Sequence, residues 1–159
     1  MNRTEHIAAL RAVSGAPAGS DFLLLAKWSD ADWSKLLDRT RPRLFRASEF
    51  VIKRGATDRA LHFVVAGSLE VGITQVDGVS ISPLARIIPG SVVGEQSFFD
   101  GQPRSTNVWA VTDGELLRLE YDEFMQFSEA EVALARDLLF ALARVLSSRL
   151  RNTTFRVRR

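Results

Sequence analysis

One stretch near the middle of the chain has residue types and spacings that can do chemistry. It runs Gly94-Glu95-Gln96-Ser97-Phe98-Phe99-Asp100-Gly101-Gln102-Pro103-Arg104-Ser105-Thr106-Asn107-Val108-Trp109-Ala110. Arg104 offers a planar fork of donors that matches phosphate oxygens two at a time. Ser105 and Thr106 set hydroxyls beside it. Residues 96–100 suffice for about one helical turn, whose free N–H groups suit an anion. Gly94 and Gly101 flank that turn and allow backbone conformations closed to other residues. Glu95 cannot hold a phosphate, because two anions repel, but it accepts hydrogen bonds from sugar hydroxyls. The pattern fits a phosphate joined to a polyol, with Gly94, Glu95, Gln96, Ser97, Arg104, Ser105 and Thr106 as ligand-binding residues. The competing reading is an ordinary turn with a solvated Glu95–Arg104 pair worth at most ~1 kcal/mol.

Three blocks must position that stretch. Residues 1–40 read as an N-terminal linker and helical segment. A short helix is expected over 4–13, a small-residue linker over 14–20, and helical structure over 21–39 with a fresh start at Asp30 as N-cap. Residues 41–126 read as a β-barrel, because short alternating apolar runs are punctuated every 8–12 residues by turn signals such as Gly67, Asp77-Gly78 and Asp113-Gly114. Asp77-Gly78 is a strong hairpin signal. Residues 127–159 read as a C-terminal helix and basic tail. The helix is expected over 129–151, with an apolar stripe of Val132, Ala135, Leu138, Leu139, Leu142, Val145, Leu146 and Leu150. The expected fold is mainly β with flanking helices: a double-stranded β-helix, or jelly-roll barrel, between N-terminal helices and a long C-terminal helix.

The stretch 94–110 resembles the phosphate-binding cassette of the cyclic nucleotide-binding domain family, found in catabolite-activator proteins, cyclic nucleotide-dependent kinases and gated channels. The likeness extends over about 110 residues. Phe45 to Gly55 resembles the family's opening strand, Leu61 to Val71 its next strand pair with Gly67 at the turn, and Trp109 to Phe124 the strands and helix that follow. Ser48 stands where the family usually has glycine, and Ala56-Thr57 replace a common Asp-Pro. The resemblance implies that the final helix caps the base and often dimerises. An ungapped match puts the base-contacting position at Arg149; a one-turn slip puts it at Thr153, with Thr154 next. Cyclic AMP is favoured over cyclic GMP as ligand.

Composition narrows the alternatives. The 159 residues contain no cysteine and only two histidines, so disulfides and zinc fingers are excluded. His6 and His62 lie far apart, which argues against a cupin-like metalloenzyme; His62, in an apolar run, reads as a core residue. No nucleophile–base arrangement is apparent, so the reading is a sensor rather than an enzyme, with no cofactor and no metal. No apolar run approaches the ~20 residues of a membrane span, and the start is not a signal peptide, which points to the cytoplasm. The formal charge is +2, yet residues 141–159 carry six arginines and no acid, so the remainder stands at −4. Those arginines, Arg144, Arg149, Arg151, Arg156, Arg158 and Arg159, are either a solvated helix end or a tail for an acidic protein partner. Only eight residues follow Arg151, so no DNA-binding domain is expected there. The expected function is a cyclic nucleotide-binding regulatory module that relays occupancy through its C-terminal helix and pairs as a homodimer. The alternatives are a cyclic GMP-specific module and a ligand-free interaction module of the same fold.

Overall fold

The computed structural model describes residues 1–74 and 81–157, and side chains for residues 1–72 and 85–153. The Asp77-Gly78 hairpin signal lies outside them. Two short helices come first, α1 (Arg3–Arg11) and α2 (Asp30–Leu37). Each opens with a capping box, in which the cap side chain accepts the third-residue N–H and that residue's carboxylate accepts in return. The pairs are Asn2 with Glu5 and Ser29 with Asp32. The cap of α2 is therefore Ser29, not Asp30. Residues 21–29 are not helical, contrary to the expectation for 21–39. Ser29 outcompetes Asp30 because only Ser29 stands three residues before a carboxylate that can close the box.

Among the described residues, two four-stranded antiparallel sheets follow. One is ordered β1 (Arg41–Phe45), β8 (Gly114–Leu119), β3 (Leu61–Ala66), β6 (Val92–Val93). The other is ordered β2 (Phe50–Ile52), β7 (Asn107–Ala110), β4 (Leu69–Thr74), β5 (Ile81–Ile87). The sheets face each other as an open, jelly-roll-like barrel. Phe45, Ile52, Val64, Leu69, Ile87, Val93, Val108 and Leu116 are buried between them. Leu61, Phe63, Val65, Leu117 and Leu119 belong to a second core, shared with Leu36 of α2 and with the C-terminal helices. Successive residues of a strand face opposite ways. β3 is thus covered on both faces, which is why Leu-His-Phe-Val-Val-Ala is almost uniformly apolar. The one polar residue of that run, His62, shares the barrel-side face with Val64.

The helix expected over 129–151 instead spans Val132–Val157, and the helix that precedes it runs on to Ala130. Between β6 and β7 lies the short α3 (Glu95–Asp100); after β8 come α4 (Tyr121–Ala130) and α5 (Val132–Val157). Glu131 breaks the last two apart, with φ −131° and ψ 70°. The apolar stripe divides as well. Ala135, Leu138, Leu142 and Val145 are buried, whereas Val132, Leu139 and Leu150, together with Phe140, are exposed. Among the described residues, no helix is long and apolar enough to cross a membrane.

Ser48 carries backbone strain. Its φ of 72° lies in the left-handed region, and it is the one non-glycine there among the described residues. It occupies the turn between β1 and β2, held by Ser48 N–H to Ala110 O at 2.8 Å. The left-handed conformation costs an L-residue about 1–2 kcal/mol, against roughly 0.5–1 kcal/mol for the extra unfolded-state freedom of glycine. Ser48→Gly should therefore stabilise the fold by about 0.5–1 kcal/mol, read as an increased urea midpoint with an unchanged slope.

Candidate functional site

A cavity of about 230 Å³ lies between the barrel and α5. Its apolar wall comes from Ile52, Val71, Ala85, Ile87, Val93 and Val108. Its polar wall comes from Gly94 to Ser97, Arg104 to Thr106, Asp21, and Arg149, Asn152 and Thr153 of α5. Every site residue expected from the sequence lines it except Thr154, whose side chain lies outside the described residues. An apolar pocket with a few converging polar groups is the usual form of a small-molecule site.

The cassette is built from both ends. Gly94 precedes α3 with φ 87°, and a Cβ there would stand 2.8 Å from Arg104 Nη1 and 3.0 Å from Ala60 O. Glycine is needed twice at this position, for its conformation and for the arginine packed on it. α3 itself is clamped by Arg59. Its guanidinium donates to Phe98 O at 3.0 Å and Phe99 O at 2.9 Å, and stacks 3.7 Å above the Tyr121 ring. Phe98 meets Phe99, Tyr121 and Phe124 edge-on. At the far end, backbone bonds join Arg104 N to Ala56 O and Gly55 N to Arg104 O, both at 2.8 Å.

Arg104 is 3 % exposed, so a solvated pair with Glu95 is ruled out. Its partner is Asp58, met at 2.7 Å and 3.3 Å, and it also donates to Gly94 O at 2.8 Å and Ala60 O at 2.6 Å. Those four contacts use four of the five guanidinium N–H groups and leave one on Nη1. A phosphate that takes two must displace one of these partners. Burial alone would raise the Asp58 pKa, but Arg104, then Arg118, outweigh it and hold the carboxyl below its ordinary value. Ser105 donates to Gln96 Oε1 at 2.7 Å, tying the two halves of the cassette together.

Glu95 is also buried, and its partner comes from α5. Arg149 Nη1 reaches Glu95 Oε1 at 2.8 Å. Its Nε meets Asp21 Oδ2 at 3.1 Å and its Nη2 meets Val92 O at 2.7 Å. Burial opposes the charge on Arg149, but Glu95 and Asp21 more than restore it and raise its pKa. Arg149 thus reaches the cavity as the cation of a carboxylate pair, with a partner at each of its three nitrogens. Thr153 Oγ1 donates to Arg149 O at 3.0 Å and lines the same wall.

Asp58 and Asp21 were not among the expected site residues. Asp58 lies 46 residues from Arg104 and Asp21 lies 128 from Arg149, and both belong to loops without a motif. The only available signal was the need of a buried arginine for an anion. Arg144 and Arg149 are not part of a free basic tail. Arg144 donates to Ala18 O at 2.7 Å and Ser20 O at 2.6 Å and also to Phe22 O. Among the described residues, no group of three or more His, Cys, Asp or Glu side chains could hold a metal ion.

Known proteins match this architecture. The family model described as the cyclic nucleotide-binding domain matches residues 42–131. The cyclic AMP receptor protein of Thermus thermophilus is 31% identical over 104 residues, covering 65% of this chain and 48% of its own length. The cAMP-activated global transcriptional regulator Vfr of Pseudomonas aeruginosa is 28% identical over 127 residues, covering 77% of this chain and 57% of its own. This chain therefore spans about half the length of these two relatives. A cyclic nucleotide-binding domain from Methylobacillus flagellatus superposes with a TM-score of 0.80 at 19% identity, over 98% of this chain and 83% of that one.

His62 lies behind the cassette, 1% exposed, and its Nδ1 has no hydrogen-bond partner among the described residues. Burial, followed by the charges of Arg104 and Arg118, pushes its pKa down to about 3. The unfolded chain takes up this proton near pH 6.5 and the fold does not until about pH 3, so stability is lost as pH falls between those values. The limiting slope is about 1.4 kcal/mol per pH unit. Urea unfolding of His62→Gln between pH 7 and pH 4 should show a flatter decline than that of the unaltered protein. Parallel declines would mean that another group titrates.

Proposed function

We propose that this chain, which belongs to the cyclic nucleotide-binding domain family, binds cyclic AMP and reports its occupancy through α5. The observation that carries this reading is the meeting of Glu95 and Arg104, both buried, on one cavity of sugar-phosphate chemistry. Arg104 faces the cyclic phosphate, with Ser105, Thr106 and the first-turn N–H groups of α3 beside it. Glu95 accepts from the ribose 2′-hydroxyl. The apolar wall takes the base, and no residue is asked to do covalent chemistry, so the role is regulatory rather than enzymatic.

Thr153 supports adenine over guanine. Its hydroxyl hydrogen is directed to Arg149 O, which leaves its lone pairs facing a ligand. Those lone pairs accept from the 6-amino group of adenine, whereas guanine presents a 6-oxo acceptor there. Cyclic GMP is the second reading, with Ser105 turned from Gln96 to the guanine 2-amino group.

Relay through α5 is supported by Arg149, which links this helix directly to the ribose carboxylate. A ligand hydroxyl on Glu95 changes the electrostatics of that link, and α5 responds to the extent that ligand affinity differs between its positions. Val132, Leu139 and Leu150 follow each other at seven and eleven residues, so they share the outer side of α5. That exposed apolar side supports pairing with a second copy. An acidic partner, if one docks, meets the exposed Arg151 and the arginines beyond it rather than Arg144 or Arg149.

Two experiments test this. A charged hydrogen bond is worth roughly 1.5–3 kcal/mol, so Arg104→Ala should weaken cyclic AMP binding at least ~10-fold by calorimetry. Arg104→Lys should recover only part, because the fork is lost; unchanged affinity in a folded Arg104→Ala protein would remove the assignment. For the relay, cyclic AMP should slow amide exchange in residues 144–153 as well as in 90–110. Removing residues 148–159 should weaken binding while leaving the barrel folded. Exchange confined to the cassette, with full affinity after truncation, would leave a passive platform.

A further inference from the structure

Residues 18–22 lie outside the stretch matched by the family model; 18–20 read as linker by composition, and 21–22 fall at the start of the stretch expected to be helical. Yet each of them bonds to α5. Ala18, Ser20 and Phe22 give their carbonyls to Arg144. Gly19 O accepts from Ser148 Oγ at 3.0 Å, and Asp21 Oδ2 takes Arg149 Nε at 3.1 Å. The carbonyls on either side of Asp21 are therefore anchored to one half-buried guanidinium, and this fixes where the Asp21 carboxylate stands.

That position decides how Arg149 meets Glu95. A guanidinium and a carboxylate prefer a two-point contact, with neighbouring N–H groups on both oxygens. Here the contact is single: Nη1 to Glu95 Oε1 at 2.8 Å. Nε is held by Asp21 and Nη2 by Val92 O at 2.7 Å. We propose that Asp21 is a positioning residue of the ligand site: by holding Arg149 Nε while Val92 O holds Nη2, it keeps the two-donor Nε–Nη2 edge away from Glu95, confines Arg149 to one oxygen of Glu95 through Nη1, and keeps the other for the ribose 2′-hydroxyl. The proposal rests on the cyclic nucleotide reading of the cavity. Without Asp21, Arg149 Nε is a desolvated donor beside a single carboxylate, and leaving it unmet is costly. The guanidinium then gives up the neutral Val92 O and turns its Nε–Nη2 edge onto both Glu95 oxygens, and the 2′-hydroxyl has to compete for an occupied acceptor.

Simple charge predicts the reverse. The cavity already carries the carboxylates of Glu95 and Asp21, and the ligand brings another negative charge. Deleting Asp21 should, on charge alone, tighten the binding of every cyclic nucleotide alike.

The test measures affinity for cyclic AMP and for its 2′-deoxy analogue by calorimetry, with circular dichroism to confirm folding. Asp21→Ala should weaken cyclic AMP about tenfold, the worth of one charge-assisted hydrogen bond. The deoxy analogue should lose less than about threefold, since it makes no use of the second Glu95 oxygen. Asp21→Asn keeps an acceptor for Nε and should restore most of the preference for the ribose form. In an Arg149→Lys background no fork exists, so Asp21→Ala should leave the ribose-to-deoxy ratio unchanged. An equal loss for both ligands, a gain for both, or a changed ratio in the lysine background would each overturn the proposal. If the unaltered protein bound neither cyclic AMP nor cyclic GMP, the cyclic nucleotide reading would fall and this inference with it. Normal binding with an unmoved ratio would overturn this inference alone.

Discussion

The site depends on a guanidinium buried inside a barrel. Arg104 has almost no contact with solvent, and a lone charge in such a place would be prohibitive. Asp58 and the carbonyls of Gly94 and Ala60 make it tolerable. Each of these partners constrains something else. Gly94 must be glycine for Arg104 to approach. Ala60 immediately precedes β3, the strand that both cores share. Asp58 also meets Arg118 at 3.7 Å, which sits in β8 beside β3. The proposed phosphate clamp is thereby continuous with the most buried part of the sheet. On the proposed reading, a ligand anion does not meet a free arginine waiting in water. It meets one whose partners have already oriented it, so that little ordering remains at the moment of binding.

A second constraint balances the first at the other end of the cavity. Glu95 is as hidden as Arg104, and its countercharge is borrowed from a distant helix. The two halves of the proposed ligand site thus differ in kind. The phosphate end is complete within the barrel and the loops attached to it. The sugar end is complete only when α5 is docked and the loop of residues 18–22 is closed around Arg144. Binding chemistry and helix position meet in one ion pair, and this gives a compact domain a way to couple them.

What was legible in the sequence follows the same division. Glu95 and Arg104 could be read because the cassette is contiguous, with glycine and proline marking its turns. The barrel was legible because its strands alternate and its turns repeat. The residues that neutralise the cassette were not. Asp58 and Asp21 are single acids in irregular segments, and their pairing is decided by folds of the chain that no local pattern records. Arg144 and Arg149 fall among the six arginines that crowd one end of the sequence; their partners are backbone carbonyls and acids far off along the chain, at Val92, Glu95 and residues 18–22. The break at Glu131 was hidden for a different reason. Apolar periodicity runs straight through it, and a single residue leaving helical geometry has no compositional mark. Ser29 displaced Asp30 as the cap of α2 because capping depends on reciprocal reach, not on acidity alone.

The break at Glu131 makes α5 a lever. The helix has 26 residues, which at ~1.5 Å per residue is about 39 Å from pivot to tip. Arg149 lies roughly 26 Å along that arm on the same scale. A turn of only about 5° at the pivot, within the ordinary scatter of backbone dihedrals, carries the guanidinium about 2 Å. That travel would part Arg149 from Glu95, since hydrogen bonds weaken steeply beyond their normal reach. The same turn carries the end of α5 through about 3 Å. Under the proposed relay, rearrangements at the cavity too small to disturb the packing of the barrel would in this way be converted into displacements that a neighbouring molecule can register.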